Sequence, residues 1–151
     1  MGQITNPPSG SVPVDTITKS SDETINNSAV LQDDDDFQWI LTPGAYRFLF
    51  GIRYISGTTP DFKYQFGLPN ADNELTGFAF VMTTGAAAGM VNINPAAEQA
   101  IGGLAANTPL IFDLVLNVVT GGTFVFKWAQ NTQNASDTKV LAGSFAQKWT
   151  L

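Results

Sequence analysis

Apolar residues at every second position, repeated in separate stretches, confine this chain to β-structure more tightly than any other feature. In "YRFLFGIRY" the side chains of Tyr46, Phe48, Phe50, Ile52 and Tyr54 share one face, and Arg47 and Arg53 take the other. "DFKYQF" sets Phe62, Tyr64 and Phe66 against Lys63 and Gln65, and "LIFDLVLNV" sets Leu110, Phe112, Leu114, Leu116 and Val118 against Asp113 and Asn117. "TFVFKWAQ" puts Phe124, Phe126 and Trp128 together. A period of two keeps one apolar face only on a strand. Such strands need a second apolar layer to cover them.

Turn chemistry separates the runs. The reading gives strands near Val14–Ser20, Ala29–Gln32, Phe37–Leu41, Ala45–Ile55, Asp61–Gly67, Gly77–Thr83, Met90–Ile93, Thr108–Val119, Gly122–Gln130 and Thr138–Thr150. Between them stand "TPGA", "SGTTPD", "TGG" and "NTQNASD". Thr120–Gly122, between two long alternating runs, reads as a tight hairpin. Helix is scarce: Asn94–Ala105 is expected to make a short helical turn, capped by Asn94 with Pro95 behind it and stopped by Gly102 and Gly103. Thr83–Met90 reads as a small-residue loop. The fold class is therefore all-β, an antiparallel β-sandwich of jelly-roll type with an extended N-terminal arm. Residues 1–13, with Pro7, Pro8, Ser9, Gly10, Ser11 and Pro13, form the arm, and residues 14–151 a single sandwich domain.

Composition narrows the chemistry. The chain has 151 residues, no cysteine and no histidine. Imidazole bases, thiolate nucleophiles, disulfides and the usual zinc ligands are thereby excluded. Charged residues make up 13%, against about 25% in an ordinary soluble domain, so much of the surface must be Thr, Ser, Asn, Gln and small apolar groups. The net charge is -6, and Lys19, Arg47, Arg53, Lys63, Lys127, Lys139 and Lys148 are scattered singly. No basic patch exists for nucleic acid. The first residues carry no secretory pattern, and no apolar run is long enough to span a bilayer as a helix.

The run Asp33–Asp36 is the obvious candidate site. It lacks the spaced oxygen ligands and the turn glycine of a calcium loop. It reads as a solvated corner that enters a strand and blunts a sheet edge, so replacing Asp34 and Asp35 is expected to change stability little. Glycoside hydrolysis needs two facing carboxyl groups, and Asp61, Asp72, Glu74 and Glu98 all fall in turns, where acids are common. Gly85–Gly89 and Gly102–Gly103 lack the context of a phosphate loop. Trp128 shares a face with Phe124 and Phe126 and reads as core. Trp39 and Trp149 stay open between core and a sugar-stacking surface. Asn134-Ala135-Ser136 matches a glycosylation acceptor as a chance occurrence in a polar loop. No catalytic, metal-binding or cofactor-binding residue is assigned, and no cofactor is expected.

Two blocks carry a resemblance: "DETINNSAVLQDDDDFQWILTPGAYRFLFGIRYISGTTPDFKYQF" (Asp22–Phe66) and "GGTFVFKWAQNTQNASDTKVLAGSFAQKW" (Gly121–Trp149). Together they resemble a family of small β-sandwich modules of tailed bacteriophages, found as short virion proteins and attached to tail fibres. The resemblance covers about half the chain. It implies a structural protein of the virion, made in the host cytoplasm and carried on the phage head. In that reading it is a capsid decoration (cement) protein that binds the major capsid protein as a homotrimer and is not an enzyme. The alternative it allows is a tail- or head-fibre adhesin. Nucleic acid and membrane are not expected partners. Ile4, Pro7, Pro8, Val12 and Pro13 would form the capsid-docking arm, since prolines pre-extend it and Ile4 and Val12 are its sizeable aliphatic anchors.

Overall fold

The computed structural model describes residues 15–82, 88–92 and 97–151. The arm, with Ile4, Pro7, Pro8, Val12 and Pro13, lies outside the described residues, as do residues 83–87 and 93–96. The strands are β1 (Asp15–Thr18), β2 (Glu23–Ile25), β3 (Gln32–Leu41), β4 (Gly44–Ile55), β5 (Phe62–Gly67) and β6 (Glu74–Met82). They continue with β7 (Ala88–Asn92), β8 (Gln99–Ile101), β9 (Thr108–Val118), β10 (Gly122–Gln130), β11 (Thr138–Val140) and β12 (Phe145–Thr150). They form an antiparallel β-sandwich.

The larger sheet runs β1-β12-β4-β9-β6-β7, with β11 bridging β2 and β4, and the smaller runs β3-β10-β5-β8. Pairing is nested: β1 with β12, β3 with β10, β4 with β9 and β5 with β8, all antiparallel. The inward faces of β4 and β9 meet those of β5 and β10. Phe48, Phe50, Tyr64, Phe112, Phe124, Phe126 and Trp128 are all buried between them. Their rings pack edge-on and tilted, as Phe50 does on Phe112 at 6.2 Å and Tyr64 on Phe112 at 4.8 Å. Trp128 is core as expected.

Five local expectations are corrected. Of the loop expected over Thr83–Met90, residues 83–87 lie outside the described residues and Ala88–Met90 is strand, the start of β7. Thr120–Gly122 is not a hairpin, because β9 belongs to the larger sheet and β10 to the smaller. Both apolar faces meet across the core rather than side by side, so the connection is an arch. Buried Asn73 holds it, accepting from Val119 N and Thr120 N and donating to Thr120 O. Within the expected helical turn Asn94–Ala105, Gln99–Ile101 is strand, paired with β5. Gly103 there serves a close backbone approach, since a Cβ would lie 2.0 Å from the Gly57 carbonyl oxygen. Ala29–Leu31 is not strand, whereas β3 starts at Gln32 and takes in the aspartates.

Finally, Thr138–Thr150 is broken into β11 and β12 at Leu141–Ser144, where Gly143 has φ 81°. Its partner run is broken opposite, between β1 and β2. The two breaks bond to each other through Lys19 N to Ser144 O and Gly143 N to Lys19 O. Ser144 Oγ, accepting from Arg53 N, replaces the missing ladder bond to β4.

Candidate functional site

The paired break turns the Lys19 side chain inward. Its ammonium donates to Glu23 Oε2 at 2.7 Å, Asp36 Oδ2 at 2.9 Å and Asp34 Oδ1 at 3.0 Å, which accounts for all three hydrogens. Phe37 lies beneath it, 5.6 Å from ring centroid to Nζ. The Lys19 side chain is 1% exposed and that of Asp34 0%.

Asp34 reaches the interior because the aspartate run is a bulge. Between the pairs Val125↔Gln38 and Lys127↔Asp33, β10 advances two residues while β3 advances five. The extra residues shift the alternation, so that Asp34 rather than Asp33 or Asp35 shares the inward face with Phe37, Trp39 and Leu41. The bulge leaves backbone donors without ladder partners, and Asp34 Oδ1 accepts two of them, from Asp36 N at 3.0 Å and Phe37 N at 3.1 Å. Asp34 Oδ2 accepts from Trp128 Nε1 at 3.2 Å. The solvated-corner reading therefore holds for exposed Asp35; Asp33, also exposed, pairs with Lys127 at 2.8 Å, and the reading fails for Asp34 and Asp36, whose carboxylates bind Lys19.

The electrostatics follow from this packing. Burial pulls the Lys19 pKa down, but hydrogen bonds to Glu23 and Asp36 and the charge of Asp34 more than reverse it, and the net shift is upward. Glu23 is shifted upward too, first by burial and then by the charge of Asp34, against the opposing hydrogen bond from Lys19. Gln32 Nε2 donates to its other oxygen at 2.6 Å. A lysine ammonium thus stands where a bound cation would otherwise be needed. Among the described residues no group of His, Cys, Asp and Glu side chains is arranged to hold a metal ion.

Of the other acids expected in turns, Glu74 instead opens strand β6 as an exposed residue, and the other three have structural partners. Asp61 accepts from Gly103 N, Asp72 from Thr120 Oγ1, and Glu98 pairs with Lys63. Trp39 is buried and donates to Asp15, while Trp149 is half-buried beneath the Arg47 guanidinium. Asn134 Oδ1 accepts from Ser136 N inside the acceptor triplet itself.

A second feature lies on the outer face of the larger sheet. Phe80 stands opposite Ile111, Ile111 opposite Gly51, and Gly51 opposite Phe145, an apolar row across four strands. The Phe145 ring lies over Gly51, where a Cβ would come within 2.3 Å of it. Phe78, Phe80, Val115 and Ile111 are 37% to 42% exposed. Beside them is a groove of about 370 Å³ whose walls include Leu49, Pro109, Ile111 and Phe145, with Arg53 its one charged lining residue. Arg47 and Asp113 neutralise each other nearby through a two-bond pair.

No protein-family model and no curated protein matches the chain.

Proposed function

We propose that this chain is a structural protein of a tailed-bacteriophage particle, a head decoration protein that assembles as a homotrimer through the outer face of its larger sheet. The observation that carries the reading is that face, where Phe78 and Phe80 on β6 and Ile111 and Val115 on β9 lie exposed, and half-buried Leu49 on β4 and Phe145 on β12 continue the apolar surface. An antiparallel sheet with one face on the core normally turns a polar face outward. A contiguous apolar one marks a contact with other protein. A second copy suits it electrostatically: the chain carries a net charge of -6, Arg53 is the groove's charged residue, and Asp113 is already neutralised by Arg47.

The two sequence blocks supply the phage assignment, and the nested strand pairing supports the jelly-roll reading of the sandwich. A trimer that binds only the assembled shell stabilises it by mass action. Sedimentation of the purified chain tests the assembly, with a trimer expected and I111D expected to return it to monomer. The composition of purified particles tests the location. A copy number matching the capsomer lattice is expected, and a few copies per particle would identify a fibre protein instead.

A further inference from the structure

An ion pair needs only two opposite charges in contact. The surroundings of Lys19 and Asp34 supply more than that. Both side chains are removed from water, and Lys19 Nζ is held 3.0 Å from Asp34 Oδ1. The Asp34 carboxyl receives three fixed N–H donors, from Asp36 and Phe37 on one oxygen and Trp128 on the other. Donors so placed also stabilise the oxyanion that forms when a nucleophile adds to the carboxyl carbon. Glu23 Oε2 touches the same nitrogen at 2.7 Å, within reach of the protons that must leave it.

We propose that Lys19 and Asp34 condense within the folded chain to an isopeptide bond, with Glu23 as the proton carrier. Lys19 Nζ first gives one proton to the neighbouring carboxyl groups, so that a neutral amine faces a neutral Asp34 carboxylic acid. The amine lone pair adds to Asp34 Cγ, and the N–C bond forms while the C=O π pair moves to oxygen under the backbone and indole donors. Glu23 takes the second proton from nitrogen and delivers it to the departing hydroxyl. The C–O bond breaks, water leaves, and the amide keeps one N–H. Ammonium plus carboxylate yields amide plus one water, with no redox change and no co-reactant.

Burial favours this outcome. In bulk water both ions are strongly hydrated, whereas here desolvation penalises each of them and the amide carries no charge. Fixed contact replaces a bimolecular encounter. Asp34 is singled out from the other carboxyl groups because Asp36 is partly exposed and Glu23 receives two such donors, Gln32 Nε2 and Asp35 N, rather than three. The upward shift of Glu23 favours a proton on that residue. The matching shift of Lys19 keeps the amine protonated most of the time, so the bond closes slowly after folding rather than during it. The bond would tie the broken β1–β2 edge of the larger sheet to the bulge of the smaller one, a covalent clamp between the sheets. It stands independently of the phage assignment.

Intact-mass spectrometry of the folded full chain, followed over days, tests the proposal. The chain is expected to become lighter by one water, with fragmentation joining the Lys19 peptide to the Asp34 peptide. K19R, whose guanidinium keeps the charge without an attacking amine, is expected to hold its full mass. D34N should lose ammonia in place of water, and E23Q, folded by near-ultraviolet circular dichroism, should close more slowly. A wild-type chain that stays folded at its full sequence mass overturns the proposal, as does a water loss that maps elsewhere. Closure of E23Q at the wild-type rate overturns the role of Glu23.

Discussion

Asp34 and Asp35 are neighbours in the chain with opposite surroundings. Asp34 is buried against Lys19, two backbone amides and the Trp128 indole, whereas Asp35 is exposed. Removing one partner of a buried pair leaves an uncompensated charge. D34A is therefore expected to destabilise the fold by about 3–5 kcal/mol. D35N, which alters an exposed side chain, should stay within about 0.5 kcal/mol. Denaturant melts of the two variants beside the parent check both, and similar small effects would return the whole run to solvent. Chelator should leave the parent's melting point unchanged, because Lys19 supplies the positive charge in the cluster.

At the scale of elements, the connections carry as much information as the strands. Gly103 lies against the Ser56–Gly57 backbone, and its neighbour Gly102 accepts from the Tyr54 hydroxyl. A methyl group at 103 meets main chain rather than a movable side chain. G103A is expected to cost roughly 1–3 kcal/mol, as overpacking does, and thermal melting reads it. At G51A the nearest atoms are those of the Phe145 ring, a side chain that can swing aside. Its expected effect is a loosened groove and weaker self-association with a much smaller change in melting, seen by sedimentation.

For the whole molecule, alkaline pH probes the packing of the two sheets. Burial raises Tyr54 and Tyr64 to about 12, with Asp61 adding to the effect at Tyr54. In the unfolded chain tyrosine titrates near pH 10. Between those values the unfolded state has lost protons that the folded state keeps, so stability is complete below about pH 10 and falls as pH rises towards 12. Each tyrosine contributes about 2–3 kcal/mol to that loss. Denaturant melts from pH 8 to 11.5 should show the decline beginning near pH 10, and a flat profile would contradict the buried environment. If the arm docks the chain onto a shell, deleting residues 2–12 should leave melting of the isolated protein unchanged and abolish particle decoration.

The alternation in Tyr46–Tyr54, Leu110–Val118 and Phe124–Trp128 was enough to establish a two-layered β-chain and to place Trp128 in its core. Side-chain period is a local property, set by the strand backbone alone. Which strands lie side by side is not local: Thr120–Gly122 joins two alternating runs whether they form a hairpin or an arch, and only the packing of their apolar faces put them in different sheets. The aspartates show the same limit. Regular alternation back from Phe37, Trp39 and Leu41 points Asp33 and Asp35 inward, and the bulge against β10 reverses this. In the sequence Lys19 is only one of seven singly scattered basic residues, and the paired break at Ser144 turns it into the interior. Local pattern specified the strands, while sheet assignment and the buried Lys19–Asp34 pair arose from contacts between residues far apart in the chain, where burial can offset desolvation only once both sheets are in place.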